Sequence, residues 1–204
     1  MLLRICPWCR RTAFRAVCSC LPEAPGTLLA RSVDGVDLTV AVHRYDKVLR
    51  RFLLAAKNGG RRDIVGLLGS QLAQAIRRAH DAGEAPAVDL SDRPTVVWVP
   101  ASRHGRRGRG YDQARLLARA VAHHLDLPIT PLLTRIGGQA QAGRHRHDRM
   151  TGPGIGCRLA QAPPVVLLID DVITTGSSLK AAARALRGAG TMTVMAAAVA
   201  SAGW

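Results

Sequence analysis

Aromatic residues and lysines are scarce in this chain: three tryptophans, two tyrosines, two phenylalanines and only Lys47, Lys57 and Lys180 in 204 residues. Aromatics at 3% leave little material for a platform on which unpaired bases could stack, so any hold on single-stranded nucleic acid must be mainly electrostatic. None of the lysines follows a glycine and no Gly-x-x-x-x-Gly-Lys occurs, which excludes a P-loop nucleotide triphosphatase. No apolar run reaches the roughly 18 residues that mark a membrane helix. Met1-Leu2-Leu3-Arg4 leads into cysteines instead of the apolar core and cleavage site of a secretory leader. We therefore expect a soluble, cytoplasmic protein without membrane insertion. Acidic residues are also few, 14 against 29 Lys and Arg, and the net charge of +15 will attract polyphosphates and nucleic acid.

What is present fits one α/β domain with a small appendage, because 48% hydrophobic residues suffice for a core at this length. Four of the five cysteines crowd into the appendage as Cys6-Pro7-Trp8-Cys9 and Cys18-Ser19-Cys20. A C-x-x-C pair can put two thiolates on one tetrahedral ion, and the shorter second pair would complete a four-cysteine set. Structural zinc on Cys6, Cys9, Cys18 and Cys20 is favoured over a reduced cysteine-rich arm. Four sulfur ligands leave no open position, which argues against a catalytic ion. Pro22, Pro25 and Gly26 mark a linker, so we divide the chain into a zinc-ribbon-like segment, 1–35, and a main domain, 36–204.

Within the main domain a strand is expected over 36–42. Val48, Leu49, Phe52, Leu53 and Ala56 then share one face of a helix over 45–57, which Asn58-Gly59-Gly60 should end. A second helix is expected over 62–80 with Ile64, Leu67, Leu68, Leu72 and Ile76 inward, then a surface loop over 81–94. A buried strand follows over 95–99, a helix over 111–125, a loop over 135–158 expected to be mobile without a ligand, a strand over 165–169, a helix through Leu179, Ala182, Ala183 and Leu186, and a last strand over 193–201. Strands alternating with helices imply a doubly wound, mainly parallel sheet.

Two stretches carry chemistry. After the strand ending at Val99-Pro100, the run 101–110 holds four arginines and three glycines, able to wrap guanidinium groups around phosphate oxygens. In an open α/β sheet a loop leaving the carboxyl end of a strand is where ligands are held. The second stretch follows the apolar run at 165–169: Asp170 and Asp171, then Thr174-Thr175-Gly176-Ser177-Ser178, without a bulky side chain. Their backbone N–H groups and the following helix start can close around an anion, a phosphate cup beside two carboxylates. His145-x-His147 lies in a basic loop and reads as solvated.

The run Leu167-Leu168-Ile169-Asp170-Asp171-Val172-Ile173-Thr174-Thr175-Gly176-Ser177-Ser178 resembles the phosphoribosyl pyrophosphate signature of type I phosphoribosyltransferases. Together with the cysteine cluster, Tyr45 and Lys57-x-x-Gly60, Val99-Pro100, Arg109-Gly110-Tyr111-Asp112-Gln113, and Gln141 followed by Arg149, it resembles the ComF family, phosphoribosyltransferase-like proteins linked to DNA uptake in competent bacteria. The resemblance implies a type I phosphoribosyltransferase-like fold. It also implies phosphoribosyl pyrophosphate bound with Mg²⁺, with Asp170 and Asp171 on the ribose hydroxyls, Thr174 to Ser178 on the 5′-phosphate, and Ala101, Ser102 and Arg103 at the pyrophosphate. Asp170, Asp171 and Arg103 are the catalytic candidates if a phosphoribosyl group is transferred. A non-catalytic accessory engaging single-stranded DNA or competence proteins through its basic surface is the other reading. No particular oligomeric state is implied.

Overall fold

The computed structural model describes residues 4–13, 19–24, 28–58, 60–83, 87–101, 112–136 and 154–202. Its centre is a five-stranded sheet formed by β3 (Leu29–Ala30), β4 (Leu38–Arg44), β5 (Thr95–Trp98), β8 (Val165–Ile173) and β9 (Thr193–Ser201), in the order β3-β4-β9-β8-β5. The β4-β9, β9-β8 and β8-β5 pairs are parallel, and β3 runs antiparallel to β4. The mixed, mainly parallel α/β architecture expected from the alternating pattern is present.

Alternation along β8 shows why it takes covering layers on both sides. Leu167 and Ile169 join the core made with α1 (Lys47–Asn58), α2 (Arg62–Ala82) and α3 (Gln113–Leu125). Val166 and Leu168 point the other way, into a core made with α4 (Ser177–Arg187). All four side chains are fully buried. Chain direction accounts for the division. The β4-to-β5 crossover, carrying α1 and α2, and the step from β5 to the parallel segment 128–130 on its outer edge, carrying α3, run in one sense across the sheet. The β8-to-β9 crossover, carrying α4, runs in the other. Right-handed crossovers of opposite sense place their helices on opposite faces. The carboxyl ends of the parallel strands therefore share one end of the molecule.

Helix boundaries follow local chemistry. Asp46 Oδ1 accepts the Leu49 N–H at 2.7 Å before α1, and Gly83 closes α2 in the left-handed conformation at φ 64°. Asp112 caps α3 by accepting the Arg115 N–H. Three short pieces lie outside the main sheet pattern. β1 (Arg4–Ile5) and β2 (Thr12–Ala13) form an antiparallel pair beside the cysteines. Pro128 to Thr130 runs along the free edge of β5 through the Val96 N–H to Pro128 O and Thr130 N–H to Val96 O bonds, at 2.7 and 3.1 Å. β6 (Leu133–Arg135) and β7 (Ile155–Cys157) pair antiparallel at both ends of the expected long loop, so Arg135 and Ile155–Cys157 belong to strands and not to it, and residues 137–153 lie outside the described residues. The expected surface loop at 81–94 also needs correction: α2 continues to Ala82, and Val88 is fully buried in the core with α1, α2 and α3. No helix among the described residues is long and apolar enough to cross a membrane.

Candidate functional site

The strand β8 does not stop at the first acid. It stays paired with β9 from Val165↔Thr193 to Ile173↔Ser201, while its pairing with β5 ends at Ile169↔Trp98. Asp170 and Asp171 thus stand on a strand that is held on one side and open on the other. A cleft fills the open side, lined by Lys57, Pro100, Ala101, Arg135, Asp170, Asp171 and Ser178, with Asp112 and Gln113 at the start of α3. The end of α1, the loop after β5, the start of α3, β6, β8 and the start of α4 meet there, at the carboxyl end of the parallel strands, the position expected for ligands in such folds.

The acids are half-buried and tied to the backbone locally: the Asp171 N–H donates to Asp170 Oδ1 at 2.8 Å, and the Val172 N–H to Asp171 Oδ1 at 2.9 Å. Loss of water raises the Asp170 pKa well above the ordinary carboxylate value, and the adjacent Asp171 charge pushes it further in the same direction. The Arg135 guanidinium pulls it back only in part. Arg135 is itself anchored, its Nε donating to Pro100 O at 2.8 Å. Asp112 does double duty, accepting from the Ala101 N–H at 3.0 Å while capping α3, so the loop that leaves β5 starts from a fixed point.

Beyond Ile173 the chain turns through Thr174, Thr175 and Gly176 into α4. Gly176 sits at φ 76°, and a Cβ there would meet Val33 Cγ2 at 3.0 Å, so both backbone conformation and space call for glycine. No side chain caps α4; the Ser177 N–H is held by Thr175 Oγ1 at 3.3 Å, and Thr174, Thr175 and Ser177 are exposed. First-turn N–H groups of a helix lack intrahelical acceptors, which leaves this turn able to donate to an anion. Ser178, the last residue of the turn, reaches the cleft wall.

Of the residues singled out from sequence, Asp170, Asp171, Ala101 and Ser178 line one cleft, and Thr174, Thr175, Gly176 and Ser177 form the adjoining turn. Ser102 and Arg103 lie outside the described residues, as do the rest of the arginine loop, Gln141, His145, His147 and Arg149. Arg135 was not singled out. It had only been the first residue of a polar stretch, and nothing in its neighbours signalled that a strand would aim it at the acids.

The cysteine segment forms a second cluster. The sulfurs of Cys6, Cys9 and Cys20 lie within 4.8 Å of one another, and Cys18 lies outside the described residues. The Trp8 N–H donates to Cys6 Sγ at 3.3 Å, and Arg10, at φ 63°, closes the turn by donating its N–H to Cys6 O. The bidentate pair with Asp63 raises the Arg61 pKa above its ordinary value, with a smaller electrostatic contribution from Cys6. Sulfurs on a tetrahedral zinc ion lie about 2.3 Å from the metal, hence somewhat under 4 Å apart, so the cluster fits a metal site after small adjustments.

No family model matches the chain. Over 148 residues it is 27% identical to "Competence protein ComFC" of Bacillus subtilis (strain 168), an overlap of 72% of this chain and 56% of that protein's length.

Proposed function

We propose that this is a phosphoribosyltransferase-like protein of the ComF family that binds phosphoribosyl pyrophosphate with Mg²⁺. One observation carries the reading: paired acids at the carboxyl end of β8 run directly into an uncapped, hydroxyl-rich turn, and both border the cleft that holds Arg135 and Ala101. In this reading Asp170 and Asp171 accept hydrogen bonds from the ribose 2′- and 3′-hydroxyls, directly or through the ion. Thr174, Thr175, Gly176, Ser177 and Ser178 hold the 5′-phosphate, and Ala101, Ser102 and Arg103 meet the pyrophosphate. The donor set suits Mg²⁺, which prefers oxygen ligands and keeps several waters. The ion would neutralise charge on the pyrophosphate. The raised pKa of Asp170 marks negative charge in need of hydroxyl donors or a cation.

Transfer would break the anomeric C–O bond to pyrophosphate as an acceptor nucleophile forms the new bond. Positive charge grows on the sugar and negative charge on the leaving group. The chain's part would be positioning and electrostatic stabilisation, with the acids on the ribose side and Arg103 on the leaving side. Residues 1–35 would carry a zinc-bound ribbon, with β3 at their end joining the central sheet, and 36–204 would form the phosphoribosyltransferase-like domain. Calorimetric titration with Mg²⁺ and phosphoribosyl pyrophosphate tests the reading. Wild type should bind and Asp170→Asn/Asp171→Asn should not; silence from the wild type, or equal binding by the double variant, would overturn it.

A non-catalytic accessory is supported by a different observation, the net charge of +15, together with the printed name of the Bacillus relative. Pyrophosphate release with and without bases, ammonia or DNA separates the two. Release that needs one acceptor supports transfer, whereas binding without release supports the accessory.

A further inference from the structure

A second cavity, of about 690 Å³, opens at the β5 edge of the sheet behind the cleft just described. It is bounded by Trp98, Arg115, Arg119, Ile129, Leu133 and Arg158, and it adjoins the first cleft through the shared wall of Pro100, Asp112 and Arg135. The fold creates it: α3 brings Arg115 and Arg119 along one wall, the edge segment brings Ile129 and Pro131, and the β6-β7 pair brings Leu133 and, just after it, Arg158.

Charge in this cavity is one-sided. Arg115, Arg119 and Arg158 make no salt bridge among the described residues, and the one acid in its wall, Asp112, is committed to the α3 cap and the Ala101 N–H. A cluster of arginines without carboxylates repels itself and gains when an anion enters, all the more beside an apolar floor that lowers the local dielectric. Ile129, at 36% exposure, and the buried Leu133 supply that floor. The Arg115 guanidinium already lies over the Trp98 ring, 5.8 Å from its centroid, leaving its outer face available for a further flat group.

We propose that this cavity is a binding site, separate from the phosphoribosyl pyrophosphate cleft, for a small molecule that joins a flat ring to a phosphate or carboxylate, of the size and chemistry of a nucleoside monophosphate. The ring would stack on the Arg115–Trp98 pair above Ile129 and Pro131, and the anion would be taken by Arg119 and Arg158. The volume lies in the range usual for small-molecule sites. Arginine suits both halves, since a guanidinium stacks and also pairs with phosphate in bidentate fashion.

Calorimetry on the full chain with uridine 5′-monophosphate, uridine and inorganic phosphate tests this at low salt. The monophosphate should bind at least about tenfold more tightly than either fragment, because each fragment meets only half of the site. Arg119→Ala/Arg158→Ala should remove that advantage, and Arg115→Ala should weaken the monophosphate and uridine but not phosphate. Neither variant touches the acids or the α4 turn, so both should bind Mg²⁺ and phosphoribosyl pyrophosphate like the wild type. No binding of the monophosphate, no advantage over phosphate, or equal binding by the Arg119/Arg158 variant would overturn the proposal. If phosphoribosyl pyrophosphate fails to bind while the monophosphate binds as described, this site stands and the function proposed above falls.

Discussion

His43 shows how a single residue can set a pH limit for the fold. It is buried near the end of β4, and its Nε2 has no hydrogen-bond partner among the described residues. Burial lowers its pKa below the ordinary 6.5, against the opposing pull of Gln71 and Asp46. The folded protein therefore holds it neutral, while the unfolded chain takes up a proton nearer the ordinary value. Its contribution is complete above about pH 6.5 and is lost as pH falls toward the lowered folded value. Melting temperatures measured on both sides of that window should drop less for His43→Gln than for wild type; equal drops would remove His43 as the cause. Gly176 sets a conformational limit instead. Gly176→Ala combines a left-handed φ with contact against Val33, and should cost about 1–2 kcal/mol or more, read as a lower urea midpoint. The glycine was legible in sequence as part of a small-residue turn. Its contact with Val33 was not, because Val33 lies 143 positions earlier in the chain and only the folded sheet edge brings the two together.

Among the elements, α2 offers an internal control. Gly66 and Gly69 are one turn apart, yet Gly66 is exposed with nothing within 4 Å of a Cβ, while a Cβ on Gly69 would lie 2.5 Å from Ala120 Cβ on α3. Gly66→Ala should stabilise by about 0.5–1 kcal/mol through helix propensity. Gly69→Ala gains the same propensity but must push two packed helices apart, and overpacking costs about 1–3 kcal/mol, so its net effect should be a loss. Denaturant midpoints moving in the same direction would refute this account of the α2–α3 contact. The apolar spacing that announced α2 was reliable because Ile64, Leu68, Leu72 and Ile76 repeat over more than three turns and are all buried. Leu67 was expected among them but is half-buried, and Val65 is the buried neighbour. Strand ends were harder to read. An apolar run ends at its first charge, so β8 looked complete at Ile169, whereas pairing with β9 carries it through both acids to Ile173. The β6-β7 pair left still less trace, because three residues on each side of a long polar stretch carry no periodicity.

For the whole molecule the question is what so much positive charge serves. The alternation of strands and helices was enough to read the mainly parallel sheet, and the acids and small-residue turn were enough to place a cleft at its carboxyl end. Charge located one candidate, the arginine run at 101–110, most of which lies outside the described residues; the other arginines are spread along the sequence. If the basic surface engages single-stranded DNA, the scarcity of aromatics makes the contact one of phosphates and counterions. Affinity for an oligonucleotide, followed by fluorescence anisotropy, should then fall by orders of magnitude between about 50 and 200 mM salt, as expected for several neutralised phosphates. Asp170→Asn/Asp171→Asn should bind DNA as well as wild type or better, since it removes negative charge, while losing phosphoribosyl pyrophosphate. A double variant that loses both ligands together would mean that DNA and the sugar phosphate compete for one cleft, and that the basic surface is not a separate binding face. Weak salt dependence would point instead to stacking or base contacts, which this composition is poorly equipped to make.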